Sequence, residues 1–326
     1  MASRKILVTG GAGYIGSHTV RLLLEQGHDV SVVDNLSKGY RQNVPAKRLY
    51  EMDIADTAAL AELMRQTRPE AVVHFAAFIA VGESMVEPER YFSNNVGGSL
   101  SLLTAMVRTG VRHIVFSSTA AVYGDPATVP IPESAPIQPM SPYGESKVMV
   151  EALLRWFDQI HHLTSVCLRY FNASGADPEG RLGEQHEPET HLIPLLLRAV
   201  ATGKPVTVFG DDYPTPDGTC IRDYIHVDDL AQAHILSLEH LTSGGASAQF
   251  NVGTGTGHSV METIRAVEEV TGRKVPYQVG PRRPGDSPSL VAASDKLRAA
   301  LGWQPQYTDL RTIVAHAWNF AQKVGV

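Results

Sequence analysis

A short apolar run, Lys5-Ile6-Leu7-Val8-Thr9, passes without a spacer into Gly10-Gly11-Ala12-Gly13-Tyr14-Ile15-Gly16, and then into an apolar-periodic stretch ending near Gln26. Strand, glycine turn and helix in that order restrict the chain more than any other feature. A buried strand feeding a helix this tightly is the first half of a parallel beta-alpha-beta unit. Glycines 11, 13 and 16 satisfy G-x-G-x-x-G, and glycines 10, 13 and 16 the wider G-x-x-G-x-x-G. Either spacing lets backbone N–H groups at a helix N-terminus approach a pyrophosphate. Glycine turns without ligands are common, so the context decides. Gly27 ends the helix, Asp29 to Val33 form a second strand, and Asp34 closes it. A carboxylate there accepts from an adenosine ribose 2′-OH and repels a 2′-phosphate. The motif therefore predicts NAD rather than NADP, with Lys38 and Arg41 nearby as the features that favour the phosphate.

The alternation continues. Strands are predicted near 48–52, 71–75, 113–117 and 164–168, separated by helices near 57–66, 88–108 and 142–161, which makes an α/β doubly wound parallel sheet of the Rossmann kind. Asp53-Ile54, Phe75-Ala76-Ala77 and Ser117-Ser118-Thr119 fall at the carboxyl ends of strands, where such sheets bind ligands. Small residues there admit a flat ring, and equally suit tight packing. At 326 residues, 43% apolar and 19% charged, the chain builds a sizeable core. The expected partition is a cofactor domain over 1–172 and a smaller α/β substrate domain over 173–326, with segments near 221–253 returning to the first. A net charge of −6 argues against a broad nucleic-acid or anionic-membrane surface. An anionic ligand then needs a local Arg or Lys cluster. Cys167 and Cys220 lack C-x-x-C spacing and read as reduced thiols of a cytoplasmic protein. Met1-Ala2-Ser3-Arg4-Lys5 leads straight into a strand and no apolar run approaches about 18 residues, so neither a leader nor a membrane span is expected. The histidines show no metal spacing such as H-E-x-x-H, and no metal site is expected.

Ser141-Pro142-Tyr143-Gly144-Glu145-Ser146-Lys147 is the candidate chemical centre. Ser141 suits an N-cap and Pro142 the first helical position, so Tyr143 and Lys147 share a helix face. A phenol with a pKa of about 10 is a poor base at neutral pH. An ammonium about 4 Å away supplies up to roughly 4 kcal/mol at an effective dielectric of 20, about three pKa units before desolvation is subtracted. Taken alone, Tyr-x-x-x-Lys also fits a packed tyrosine beside a snorkelling lysine.

Gly10-x-x-Gly13-x-x-Gly16, Asn94-Asn95-Val96, Ser117-Ser118-Thr119 and Tyr143-x-x-x-Lys147, in that order, resemble the extended short-chain dehydrogenase/reductase superfamily. The resemblance implies catalytic roles for Thr119, Tyr143 and Lys147. It extends the cofactor set to Tyr14, Ile15, Asn35, Ser37, Asn94, Ser117 and Phe171. Val81-Gly82-Glu83-Ser84, Arg169-Tyr170-Phe171-Asn172, the run from Asp212 to Val227, and Arg282-Arg283-Pro284-Gly285-Asp286 are similar to the UDP-glucose 4-epimerase family. What this implies is interconversion of UDP-galactose and UDP-glucose through a transient 4-keto sugar, with tightly bound NAD. Asn172, His191, Leu192, Val206, Phe209, Arg222, Arg283, Asp286 and Leu290 are implied for the nucleotide-sugar site, with Thr119 and Tyr143 on the sugar. Forked donors on a diphosphate fit the arginines physically. Phe209 suits a uracil stack or a core position. The resemblance further implies a homodimer through the helices near 88–108 and 142–161.

Related sugar-nucleotide dehydratases place acids just after the Ser/Thr, whereas Thr119 is followed by Ala120-Ala121-Val122-Tyr123-Gly124. Elimination of water therefore lacks its proton donors. Two departures limit the comparison: Ile79 stands where some relatives have Lys, and Leu290 is intermediate between the large and small residues that set acceptance of N-acetyl sugars. Epimerases of UDP-N-acetylhexosamines, UDP-pentoses or UDP-uronates stay open, as does a non-catalytic NAD-binding regulator. Asp228-Asp229 reads as the cap of a helix running to about Leu241.

Overall fold

The computed structural model describes residues 3–283 and 286–325, so Pro284 and Gly285 of the arginine motif lie outside the described residues. Numbered along the described chain, the strands are β1 (Lys5–Thr9), β2 (Asp29–Asp34), β3 (Leu49–Glu51), β4 (Ala71–His74), β5 (His113–Ser117), β6 (Thr164–Tyr170) and β7 (Asn172–Ser174). They continue with β8 (Val206–Phe209), β9 (Ile221–His226), β10 (Ala248–Val252), β11 (Gly257–Ser259), β12 (Tyr277–Gly280) and β13 (Ser289–Leu290). One parallel sheet has the order β10-β6-β5-β4-β1-β2-β3. The order reverses between β1 and β4, and that reversal opens a crevice at the strands' carboxyl ends.

Period-two alternation divides each buried strand between two cores. Ile6 and Val8 of β1 join Val20 and Leu23 of the Tyr14–Glu25 helix and Leu230 and Leu238 of the Val227–Thr242 helix on one face. Leu7 joins Leu60, Leu102, Leu103, Val150 and Leu154 on the other. These side chains are fully or nearly fully buried, and each such aliphatic group contributes about 1.5–3 kcal/mol by leaving water. The expected helix near 88–108 runs continuously through 88–109, but its middle, Phe92–Gly97, widens to π geometry. The Pro142–His161 helix starts as its residues dictate: Ser141 accepts from the Gly144 N–H and Pro142 takes the first position.

Of the segment near 221–253, β10 enters the large sheet beside β6, while β9 is the centre of a second sheet with β7, β11 and β13. A two-stranded ribbon pairs β8 with β12. The buried Asp223 on β9 accepts from the N–H groups of Thr254, Gly255 and Ala292, and so ties this sheet to the loop leaving β10. The helices Leu192–Thr202, Val260–Thr271 and Leu310–Val324 close a third core over it.

Asp228 and Asp229 do not cap the Val227–Thr242 helix. His226 holds the cap position and accepts from the Asp228 N–H. Asp228 pairs with His18 and Arg21 on the first helix, and Asp229 accepts from the N–H groups of Gln306 and Tyr307. Long-range partners outcompete a local cap here because Asp229 is buried, Asp228 is largely so, and both need several donors. Among the described residues no helix is long and apolar enough to cross a membrane.

Candidate active site

The glycine loop is shaped by close approach. Gly10 has φ +71°, and a Cβ on it would lie 2.5 Å from the Ala76 nitrogen. A Cβ on Gly16 would meet the Gly10 carbonyl oxygen at 2.2 Å. Both positions thus require glycine, whereas a Cβ on Gly13 finds nothing nearer than 3.4 Å. Gly13 is extended at the N-cap of the Tyr14–Glu25 helix without a side-chain cap, which leaves that terminus's N–H groups to a ligand. Asp34 accepts from the Ala12 and Leu36 N–H groups, and burial raises its carboxyl above the usual range while these bonds oppose it. It therefore holds the loop's shape as well as ending β2.

Asn35 donates to Asp53, and the Asn35 side chain accepts from the Ser37 N–H, so these residues form one rim outside β2 and β3. Ile54 is buried against Gly98 of the 98–109 segment. Phe75 packs on His234, with ring centroids 4.6 Å apart. Ala76 touches Gly10, and Ala77 follows in the same half-buried turn. Asn94 donates to Asn95. Tyr14 and Ile15 open the glycine-loop helix, where the Tyr14 hydroxyl donates to the Gly175 carbonyl. Phe171 is buried beside Ala120, Val122 and Ile131. These groups fit a dinucleotide: two glycines pressed against backbone, an open helix terminus and a carboxylate at the end of β2.

At the crevice, Tyr143 and Lys147 are buried together. The Lys147 Nζ donates to the Ser117 carbonyl at 2.9 Å and stands 5.9 Å from the Tyr143 ring centroid. The protein alone does not depress the Tyr143 phenol as the sequence spacing suggests. Burial pushes it up, the neighbouring Tyr170 adds to that, and the hydrogen bond with Thr119 pulls the other way. Burial likewise brings the Lys147 ammonium down to about 7, opposed by Glu151. Desolvation outweighs a charge at this distance.

The sugar-nucleotide candidates gather on the second sheet and the ribbon. Arg222 on β9 lies 3.6 Å from Asp286, which accepts from Arg283 at 2.9 Å. The Arg283 guanidinium lies 4.9 Å from the ring centre of Phe209, which is 39% exposed at the end of β8 rather than a core residue. Val206 begins that strand. Leu290 on β13 pairs with Arg222 and packs towards Ala120, Val122 and Phe171, joining this cluster to the loop after Thr119. Asn172 lies on β7 opposite Tyr224. His191 caps the Leu192–Thr202 helix, and its imidazole is turned to Glu184. Ile79 is 40% exposed and presents no cation there.

Sequence spacing missed two groups. Glu151, one turn beyond Lys147, accepts from Ser118 at 2.6 Å and from both sides of the Arg169 fork at 3.0 and 2.6 Å. Arg169 also donates to Tyr123, which donates to Asn251. The i,i+4 relation to Lys147 was the available signal. The second is a set of possible metal donors where none was expected: Glu184, His186, Glu189 and His191 converge with their donor atoms within 4.8 Å of one another. They all come from one loop, whose convergence no helical or strand period announces.

Residues 6–253 match the model of the NAD dependent epimerase/dehydratase family. A curated UDP-glucose 4-epimerase from Halalkalibacterium halodurans is 52% identical over 316 residues, covering 97% of this chain and 95% of its own. The crystal structure of UDP-glucose 4-epimerase from Brucella ovis in complex with NAD superposes with a TM-score of 0.95 at 48% identity, covering 98% of each chain. The UDP-Glc/GlcNAc 4-epimerase from Campylobacter jejuni does so with a TM-score of 0.85 at 41% identity, covering 98% of this chain and all of the other.

The lowered Lys147 value has a testable sign. The unfolded lysine stays protonated to about 10.5, so folding releases a proton between about pH 7 and 10.5 and this group's contribution to stability rises across that window. In cofactor-free protein, wild type should gain on Lys147→Met by about 1.4 kcal/mol per pH unit between about pH 7.5 and 9.5. Chemical denaturation at several pH values measures it, and parallel profiles would contradict the assignment.

Proposed function

The chain belongs to the NAD dependent epimerase/dehydratase family, and from that footing we propose that it inverts carbon 4 of a UDP-hexose, interconverting UDP-galactose and UDP-glucose. The observation that carries the reading is the buried constellation of Tyr143, Lys147 and Thr119 at the crevice, followed by alanines rather than acids. NAD bound along the glycine loop supplies a reversible hydride acceptor and a positive charge over the site. Tyr143 takes the O4 proton and returns it, with Thr119 holding the same oxygen. Lys147, fixed to the Ser117 carbonyl, would hold the nicotinamide ribose beside the phenol when NAD is bound. Ala120 and Ala121 offer no acid for elimination, and both oxygens of Glu151 are taken by Arg169 and Ser118. A keto sugar that must turn over cannot be gripped firmly, so anchoring falls to the UDP. Arg222 and Arg283 supply forked donors for the diphosphate and Phe209 a face for the uracil. Asn172, Leu192, Val206 and Asp286 complete that wall. Leu290, half-buried beside Arg222, is intermediate in size between the residues that admit and exclude an N-acetyl group, so N-acetylated sugars are the second reading, tested by offering UDP-N-acetylgalactosamine in the same assay.

We further propose that residues 1–172 with β10 hold the cofactor and that 173–326 hold most of the UDP-sugar. The reading extends to a cytoplasmic enzyme, supported by two free, buried cysteines. It also extends to a homodimer. Met149, Leu153, Trp156 and Ile160 form a stripe at helical spacing along Pro142–His161, with Trp156 55% and Ile160 64% exposed. Leu100 on the neighbouring helix is also exposed. A combined Trp156→Glu and Ile160→Glu variant should elute with the mass of one chain in light scattering, where wild type gives two; a monomeric wild type would overturn the dimer.

Tyr143→Phe tests the chemistry. It should lower the rate of UDP-galactose conversion by about a hundredfold or more, while NAD content and UDP affinity stay as in wild type. Retention of most of the activity would show that the proton moves by another route.

A further inference from the structure

The loop between β7 and the Leu192–Thr202 helix carries Glu184, His186, Glu189 and His191, four donors in eight residues, and brings their donor atoms together. The His186 Nδ1 is 3.1 Å from Glu184 Oε1 and 3.8 Å from Glu189 Oε1. The His191 Nδ1 faces the same Glu184 oxygen. Four-coordinate zinc with bonds of about 2.0–2.1 Å places neighbouring donors roughly 3.3 Å apart, within the span measured here. The carboxylates are nearly closed to water, with side-chain exposures of 5% for Glu184 and 2% for Glu189. Two buried carboxylates this close need compensating positive charge.

The orientation of His186 points to how it is supplied. Its Nδ1 is buried and makes no hydrogen bond, although Glu184 and Glu189 oxygens lie 3.1 and 3.8 Å away. A buried nitrogen without a hydrogen bond, set among two carboxylates and a second imidazole whose donor atoms lie within 4.8 Å of one another, is placed as a ligand of a cation would be. Outer contacts hold the donors. Glu189 accepts from the Thr190 and His191 N–H groups, Tyr14 meets the His186 ring edge-on at 6.4 Å, and Lys38 donates to the Glu187 carbonyl.

We propose that Glu184, His186, Glu189 and His191 form a structural site for a divalent first-row metal, zinc by its mixed imidazole and carboxylate donors. The ion replaces protons on the two imidazoles and neutralises both carboxylates. All four donors close one short loop, so little chain entropy opposes binding. The site pins that loop between Tyr14 of the cofactor helix and the start of the Leu192–Thr202 helix. It takes no part in the reaction at Tyr143.

The test uses the whole protein stripped with a chelator, then dialysed with zinc chloride. Elemental analysis should find about one zinc per chain, and zinc should raise the melting temperature reversibly. Cobalt chloride in its place should give the strong visible absorption of a four-coordinate ion, a readout that needs no variant. His186→Ala and Glu184→Gln, checked for folding by circular dichroism, should each weaken zinc binding by about tenfold or more. Failure to retain zinc, a weak six-coordinate cobalt spectrum, or undiminished binding by folded His186→Ala would each show an ion-paired cluster only.

Discussion

The site depends on a buried ion pair between β6 and the catalytic helix. Arg169 on β6 grips Glu151 on the Pro142–His161 helix through two hydrogen bonds, and Glu151 in turn holds the Ser118 hydroxyl. The same guanidinium reaches Tyr123, whose hydroxyl is bonded to Asn251 on β10. The sheet edge, the catalytic helix and the loop carrying Ser117 to Thr119 therefore share one set of charges. Removing one member of such a pair costs about 3–5 kcal/mol, yet an apolar substitute for the whole pair is often no worse for stability. Its value here is position: it fixes the height of the loop against Tyr143 and Lys147, and the Lys147 bond to the Ser117 carbonyl closes the same frame.

Electrostatics at Tyr143 make the protein half of a device. Burial alone keeps the phenol protonated and strips charge from Lys147. A positive charge above the site would oppose both shifts. A tyrosine activated by its lysine alone would take protons whether or not the cofactor could accept the hydride. The second sheet gathers its arginines around a shared carboxylate. Arg222 and Arg283 share Asp286, and Arg283 meets the exposed ring of Phe209, while Leu290 joins this cluster to the loop after Thr119.

Much of the large sheet was legible because its signals are local. The glycine loop, Gly27, the Ser141-Pro142 start and the alternating apolar strands each state their own conformation. What escaped reading is whatever depends on distant partners. Asp228 and Asp229 look like caps until His18, Arg21 and the 306–307 backbone are in place. Glu151 looks like a solvated charge on a helix until Arg169 arrives from β6. The π turn at Phe92–Gly97 has no period of its own, and it lets the buried Asn95 bridge Phe78 to Ser146. The spacing of Tyr143 and Lys147 gave their neighbourhood but not the sign of the phenol's shift, because desolvation is a property of the fold and not of the helix.

The most direct measurement mixes purified protein with UDP-galactose, adds no NAD, and follows the sugar protons by NMR while watching for NADH absorbance. Conversion to a stable mixture with UDP-glucose, without NADH building up, is the result this account predicts, since the hydride returns to the sugar it left. No conversion, or net oxidation that needs added NAD in step with product, would contradict it.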